Sequence, residues 1–328
     1  MIYVLDETVL EKGDIILIRE DTNESREIMK RSNSDFHHAM LYRAISSYLE
    51  SDGTLVRAMN TQRKPIKQEQ DVAVLRLKQM PEWYTVEKAL NAAGAMVGMD
   101  YSTREAFRAL THQGKAPVSP NLQFCTRFVA QAYAAAGVQL VDDPNYCTPQ
   151  QILDSPLLMR VDGPLRLAHP EEIVMGEEKN PIAERDENRL GSFLENARGI
   201  TGGDEQTLKQ LSAYMILHPE LDTSISAAMV QSGFLETWKE EEAANPEHYD
   251  TKVFHALIID PIAKIMEAVR LVETAEEQLE GYEPEYEHLI KQYKSYPLRY
   301  FELQVELYKN LIDQKRRILA MCDKIMDD

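Results

Sequence analysis

"PNLQFCTRFVAQAYAAAG", residues 120–137, is the stretch on which the interpretation of the whole chain depends. Its apolar residues recur at helical spacing and Gly137 ends the pattern, so a helix is predicted from about Phe124 to Ala136. Cys125 then stands at the start of that helix. A thiol in this position is either small core filler or a nucleophile at the positive end of a helix dipole, and the rest of the sequence has to distinguish the two.

The composition is that of a folded chain without a secretory signal. Apolar residues make up 44% of the 328 residues, which is enough for one large domain or two ordinary ones. The start, "MIYVLDETVLEKGD", has acids where a signal peptide needs basic residues and then an apolar run. We therefore expect a cytoplasmic protein, or one secreted by a specialised route that needs no signal peptide. The three cysteines include no close pair, so no disulfide framework, metal site or cofactor is expected.

The negative charge is concentrated in the second half of the chain. Residues 1–168 contain 19 Lys and Arg against 21 Asp and Glu, whereas residues 169–328 contain 17 against 33. Because so acidic a half repels polyanions, neither nucleic acid nor an anionic membrane surface is expected as a partner. The acids either cover a solvated helical surface or meet a basic protein partner, and a homo-oligomer formed through the helical part is a further alternative.

In the first half of the chain, short β-type runs are separated by turns and are followed by predicted helices. The runs cover residues 14–20, 39–45, 54–59 and 72–78, and helices follow at 82–98 and at the Cys125 stretch. Thr148 and Gln151 form a capping-box pattern before a further short helix. Strands that cluster in this way, without strict alternation with helices, predict an α+β domain, which we place at residues 1–168.

The pattern of the chain changes after residue 168. Residues 169–200 are polar, acidic and interrupted by Pro and Gly, which predicts a linker or a loosely packed segment. Residues 201–328 have only helical patterns and predict an acidic, all-helical bundle. Pro261 is expected to kink or interrupt the longest of its helices, predicted over 253–280.

A cysteine nucleophile needs a base to take its proton, a third group to orient that base, and donors for the oxyanion. His37 and His38 lie at the mouth of a predicted strand, in "SDFHHAMLYRAI", within the α+β half. His38 is the better placed of the two to project from an ordered element. Cys147 and Cys322 are interpreted as core residues, because one lies in a cap segment and the other on an apolar helical stripe.

The order of the motifs resembles that of the circularly permuted NlpC/P60-type papain-like hydrolases. These include the YiiX-like bacterial proteins and, more distantly, lecithin:retinol acyltransferase. The motifs, spread over about residues 10–160, are "KGDIILIR", "FHHAMLYRA", "LVRAMN", "VGMDYS", "FCTRFVAQAY" and "YCTPQQILDS". In that family a Gly-Asp pair and an aliphatic strand open the domain, histidine comes first on a strand, and cysteine follows much later at a helix start.

The resemblance implies that Cys125 is the nucleophile and His38 the general base. Many relatives have a carboxylate just before the alanine of the third strand, where this chain has Arg57. The third polar group is therefore open. Asn60 is the first choice, and Gln62 and His37 are the alternatives.

The same resemblance suggests where substrate binds. Gly98 to Tyr101 are similar to a Gly-x-x-Tyr turn of the family, so Tyr101 is expected to contact substrate. His37 and Phe124, which flank the two catalytic candidates, are expected to contact it as well.

Two functions of different classes follow. The first is a cysteine hydrolase or acyltransferase that attacks the amide, ester or thioester carbonyl of a peptide-like or acyl substrate. The second is a non-catalytic interaction protein, which uses the papain-like scaffold and the acidic helical domain to bind a partner.

Overall fold

The computed structural model describes residues 1–44, 47–79, 82–110, 122–177, 181–258 and 260–327. The chain divides into two compact units, Met1–Lys179 and Asn180–Asp328. Among the described residues, none of the helices combines the length and the apolar character that a membrane span requires.

The first unit mixes strands with helices, in agreement with the α+β prediction. Its strands are β1 (Tyr3–Leu5), β2 (Ile15–Ile18), β3 (His38–Ala44), β4 (Ser47–Ser51), β5 (Val56–Asn60), β6 (Val72–Leu77), β7 (Asp100–Tyr101), β8 (Leu122–Gln123), β9 (Leu158–Arg160) and β10 (Leu165–Leu167). Its helices are α1 (Asn23–Ser32), α2 (Thr85–Gly94), α3 (Thr103–Leu110), α4 (Cys125–Ala135), α5 (Pro149–Leu153) and α6 (Pro170–Glu177).

A six-stranded sheet in the order β5-β4-β3-β2-β6-β9 forms the centre of this unit, and each neighbouring pair is antiparallel. Helices α2 and α4 pack together, and their apolar residues share one buried cluster with Leu41 and other side chains of the sheet. The four strands predicted from the sequence correspond to β2, β3, β5 and β6. Strand β4 was not predicted, because "SYLES" has two serines and a glutamate among its five residues.

The Gly-Asp pair at the start of β2 joins the sheet to these helices. Gly13 has φ +88°, and a Cβ there would lie 2.9 Å from Cγ1 of Val86, so only glycine fits. The Tyr133 hydroxyl donates a hydrogen bond to the Gly13 carbonyl. Asp14 is fully buried, and its carboxylate accepts from Nε and Nη2 of Arg76 at 2.8 Å each. Gly13 and Asp14 therefore hold the start of β2 against α4, the helix that begins at Cys125.

The second unit is helical throughout its described residues. Its helices are α7 (Pro181–Thr201), α8 (Leu208–Leu217), α9 (Asp222–Gln231), α10 (Thr237–Ala244), α11 (Thr251–Leu257), α12 (Pro261–Ser295) and α13 (Arg299–Asp327). The two long helices α12 and α13 pack against each other in opposite directions. The first part of α12 shares a buried cluster with the last part of α13, and Leu289 near its end shares another with Tyr300 and Phe301.

The segment 169–200, predicted to be a linker or loosely packed, contains α6 and most of α7. Pro170 and Pro181 are the first residues of these helices, a position where proline starts a helix instead of breaking it. Phe193, Leu194 and Ala197 are at most 1% exposed and pack in the core of the second unit. The acidic residues and prolines of this segment made the apolar pattern of α7 difficult to recognise in the sequence.

The single helix predicted over residues 253–280 is divided into two helices at a proline. Helix α11 ends at Leu257, and α12 begins at Pro261 with Asp260 as its cap, whose carboxylate accepts from the Ala263 N–H at 2.8 Å. Pro261 thus interrupts the helix. Pro284, inside α12, was not singled out from the sequence.

Candidate active site

Cys125 is the first residue of α4, as the sequence predicts for the helix start. Phe124 precedes it in an extended conformation and provides no side-chain cap. The N–H groups of the first helical turn therefore have no capping side chain and point toward the end of the helix where the thiol lies. Cys125 is 8% exposed.

The start of α4 is held by the segment that precedes α5. The Thr126 hydroxyl donates to the Cys147 carbonyl at 2.6 Å, and the Cys147 thiol donates to the Thr126 carbonyl at 3.4 Å. Burial raises the pKa of Cys147 to about 12, so this residue remains a thiol. Cys147 thus packs and bonds as a core residue, and so does Cys322, which is completely buried in α13.

A buried ion pair supports the same turn. Arg127 is 0% exposed and pairs with Glu105 of α3, and its Nε also donates to the Asn145 carbonyl at 2.8 Å. The guanidinium lies over the rings of Phe124 and Tyr146, at 4.7 and 4.9 Å from their centres. A cation enclosed in this way fixes the position of the residues on both sides of Cys125.

His38, the first residue of β3, links Cys125 to a carboxylate. Its imidazole interacts with the Cys125 side chain, which acts on its pKa, and its Nε2 lies 2.8 Å from Oε2 of Glu50. Burial by itself lowers the pKa of His38, but the hydrogen bond and charge of Cys125, followed by those of Glu50, raise the pKa to about 10. The imidazole is therefore held in its protonated form at neutral pH.

Glu50 was not identified from the sequence as a site residue. It is 4% exposed, lies on β4 opposite Met40, and contacts His38 diagonally across the pair of strands. Burial raises the pKa of Glu50, but the hydrogen bond and charge of His38, together with the charges of Lys64 and Arg57, lower it below its usual value. The carboxylate is thus ionised and faces a cation.

The position of Glu50 explains why this chain can have Arg57 where many relatives have a carboxylate. Glu50 is paired with Arg57 across β4 and β5, and Arg57 Nε lies 3.8 Å from Glu50 Oε1. The carboxylate expected on β5 is therefore on the neighbouring strand, directly opposite. Asp52 and Gly53 lie in the turn between these strands and are a hairpin signal, so pairing the flanking residues would have placed Glu50 opposite Arg57.

Asn60, the first choice for the third group, has another role. Its Oδ1 accepts the Gln62 N–H at 2.7 Å and caps the short turn that follows β5. In the sheet it is paired with Ser47, not with the strand of His38. The prediction is corrected here: an asparagine at the end of a strand satisfies the adjacent backbone, whereas Glu50 reaches the imidazole.

Two of the three expected substrate contacts are neighbours of the candidate pair, Tyr101 of Cys125 and His37 of His38. Tyr101 is opposite Gln123 in the parallel pair β7 and β8, and burial and then the charge of Cys125 raise its pKa. His37 has its ring centre 6.0 Å from that of His38. Burial, followed by the charge of His38, lowers the pKa of His37 to about 4, so this imidazole is neutral.

Phe124 does not have the exposure that contact with substrate requires. It is 2% exposed, and its ring packs with Ala109 and Tyr146 beneath the Arg127 guanidinium. The expected substrate contact is thus wrong, because the aromatic ring next to Cys125 supports the start of α4.

The match to a family model agrees with the family that the motif order indicates. Residues 9–156 match the family described as permuted papain-like amidase enzymes, YaeF/YiiX, C92. A crystal structure described as that of the metalloprotein yiiX from Escherichia coli O157:H7 is similar over 47% of this chain and 97% of its own, with 17% identity and a TM-score of 0.37. Nothing among the curated proteins matches the chain.

Within the part of the chain that the structure describes, no group of three or more His, Cys, Asp or Glu could hold a metal ion. The family match covers the strands and helices that carry His38, Glu50 and Cys125, and leaves the helical unit outside it. Residues 9–156 therefore form a permuted papain-like domain similar to those of the YaeF/YiiX family, which is described as a family of amidase enzymes.

Proposed function

We propose that this protein is a cysteine amidase in which Cys125 is the nucleophile, His38 the general acid and base, and Glu50 the residue that orients His38. The observations that support the proposal most directly are the 2.8 Å contact of His38 with Glu50 and the effect of the Cys125 side chain on the pKa of His38. The description of the family as amidases supports an amide as the bond that is cleaved.

In the first step, the sulfur of Cys125 attacks the amide carbonyl carbon as a thiolate. A carbon–sulfur bond forms, and the carbonyl electron pair moves to oxygen. The backbone N–H groups at the start of α4 are the donors proposed for this oxyanion, because no side chain caps them. The imidazolium of His38 balances the charge of the thiolate before the attack.

In the second step, His38 gives its proton to the leaving nitrogen, and the carbon–nitrogen bond breaks. The acyl group remains on Cys125 as a thioester. His38, now neutral, takes a proton from water as the water oxygen attacks the thioester carbonyl. The carbon–sulfur bond then breaks, the carboxylic acid leaves, and Cys125 is released as the thiolate beside protonated His38. Glu50 stabilises the imidazolium at both stages and holds the ring in one orientation.

The substrate proposed is a peptide-like or other acyl amide. The sequence leaves esters, thioesters and acyl transfer open, and all of them share the same acyl-enzyme. The alternative function, a non-catalytic interaction protein, was based on the missing carboxylate at Arg57. Glu50 supplies a carboxylate to His38, which removes that argument.

The decisive experiment is alkylation by iodoacetamide between pH 5 and pH 10, followed at each cysteine by mass spectrometry. We expect Cys125 to react below pH 8.5, near which an unperturbed thiol ionises, whereas the buried Cys147 serves as the unreactive control in the same chain. A Cys125 that reacts no faster than Cys147 at pH 7 would refute the proposed nucleophile.

A second measurement distinguishes the bond. Amide and ester substrates with the same acyl group are compared, and the acyl-enzyme is detected by intact mass. Turnover of both with one shared acyl-enzyme at Cys125 supports the proposed amidase. Turnover of esters alone would contradict an amidase and leave the nucleophile in place.

A further inference from the structure

One face of α12 is apolar although it is exposed to solvent. Ile262, Ile265, Met266 and Val269 are 70, 57, 68 and 42% exposed, respectively. Their spacing of three and four residues places them side by side over two turns. Single exposed apolar residues are normal on a protein surface, but a contiguous set usually marks a contact surface.

This apolar set lies on the side of α12 that faces away from α13. The residues that α12 buries, Ala268, Leu271 and Ala275, share a cluster with residues of α13. At about 100° per residue they lie on the opposite side of the helix from Ile262, Ile265, Met266 and Val269. The helix therefore has two apolar faces, and the packing with α13 covers one of them.

The same exposed face becomes acidic farther along α12. Five exposed glutamates follow the apolar set at spacings of three and four residues: Glu273, Glu276, Glu280, Glu283 and Glu287. Arg316 of α13 contacts Glu283 at 2.8 Å. We call residues 262–269 and these five glutamates the α12 ridge. Its glutamates extend for about 20 Å at 1.5 Å per residue.

We propose that the α12 ridge is the docking surface for a basic amphipathic helix of another polypeptide. The apolar face of such a helix would cover residues 262–269, and its Lys or Arg residues would lie along the row of glutamates. Charge complementarity selects this occupant, because a charged row of one sign favours a partner of the opposite sign and rejects others.

A second copy of the chain fits the ridge poorly. If two ridges paired in parallel, the glutamate rows would face each other and repel. If they paired antiparallel over their length, each row of glutamates would cover the apolar residues of the other copy and lose its water without gaining a cation. Self-association is therefore an outcome that would count against the proposal.

The test uses the full chain and two synthetic helical peptides. In each peptide, two turns with leucines on one face adjoin turns with lysines on the same face. The leucine turns are N-terminal in one peptide and C-terminal in the other, so that both binding directions are tested. Binding is measured by fluorescence anisotropy at low and high salt. The control peptides have glutamate in place of lysine. We expect binding of at least one lysine peptide, weakened by salt, and no binding of the glutamate peptides.

Matched variants locate the site. The Ile265→Ser, Met266→Ser chain should bind at least about tenfold more weakly, and Glu273→Gln, Glu276→Gln a few-fold more weakly with less dependence on salt. The controls are Leu217→Ser with Val230→Ser, which are 75 and 55% exposed, and Glu87→Gln with the exposed Glu195→Gln. Both control chains should bind within about twofold of the parent.

Three results would overturn the proposal. The ridge variants could bind the lysine peptides as tightly as the parent chain does. The glutamate peptides could bind as well as the lysine peptides. Sedimentation could show a dimer of the parent chain that Ile265→Ser, Met266→Ser dissociates, in which case the ridge holds a second copy.

Discussion

The two units of this protein differ in where their carboxylates lie. In the first unit, the carboxylates of Asp14, Glu50 and Glu105 are buried, and each faces a cation. In the second unit, no Asp or Glu whose side chain is described is buried. A charge out of water is costly unless it is paired in a good geometry, so buried pairs are retained where position matters. Exposed charge does not need such precision and suits recognition at long range.

The largest expected effect tests the site in the first unit. Cys125→Ala and His38→Ala should each lower kcat/KM by about 10⁴-fold or more, and the double variant should be no worse than either, because the two residues act as a unit. Circular dichroism should show an unchanged fold. Losses that add in the double variant would mean that the two residues do not share a mechanism.

The next effect tests the buried pairs. Glu105→Gln leaves the charge of Arg127 buried without its carboxylate and should lower the free energy of unfolding by about 3–5 kcal/mol. The matched control is Asp21→Asn, which removes the exposed partner of Arg26 and should cost less than about 1 kcal/mol. Hydrogen exchange resolved by peptide should show the loss of protection within residues 1–177.

A smaller effect is expected at Glu50. Glu50→Gln retains the size of the side chain but removes the charge that stabilises the imidazolium, so kcat/KM should fall by about 10²- to 10⁴-fold. Asn60→Ala is the comparison and should change kcat/KM by less than about tenfold, because Asn60 caps a turn. If Asn60→Ala were the more damaging of the two, Asn60 would be the third group after all.

The pair of His38 and Glu50 also predicts a pH dependence of stability. The folded pKa of His38 is raised from 6.5 to about 10, so its contribution is complete below pH 6.5 and is lost as the pH rises through about 10. The folded pKa of Glu50 is lowered, so its contribution is complete above pH 4.5 and is lost as the pH falls through the lowered value. The difference in unfolding free energy between the parent chain and Glu50→Gln, measured in urea, should be largest between pH 4.5 and 6.5. A difference that grew toward pH 10 would contradict the pairing.

The smallest effect concerns the adjacent histidine. His37→Ala should retain at least part of the activity, because the low pKa of His37 leaves it neutral and His38 is the histidine on which the Cys125 side chain acts. The measurement is kcat/KM of His37→Ala beside that of His38→Ala. An inactive His37 variant beside an active His38 variant would reverse the assignment.

Much of the first unit could be predicted from the sequence because its signals are local. The helix start at Cys125, the capping box at Thr148 and the strand that begins near His38 each depend on residues within one turn or one strand. Segment 169–200 was predicted less well. Its acids and prolines were taken as signs of a connection, although Pro181 starts α7 and Phe193 is completely buried.

The candidate site could be predicted only in part, because some of its contacts are not local in sequence. Cys125 and His38 could be named from the order of motifs, but Glu50 acts through a cross-strand contact that depends on register. One residue of slip in the pairing of β3 and β4 would turn this carboxylate to the other face of the sheet. Asn60 was chosen because it is close in sequence to the expected position, and closeness in sequence does not determine which side chain reaches an imidazole.

By itself, therefore, the sequence predicted most of the helices and strands, indicated Cys125 and His38 as the candidate pair, and determined the uneven distribution of charge. These depend on local periodicity, capping and composition, which act over a few residues. Only the tertiary structure decided that Glu50 faces His38, that Phe124 lies beneath Arg127, and that α12 exposes a second apolar face. Such contacts join residues distant in sequence or depend on which side of an element is covered, and the energy of burial is decided only when the elements pack.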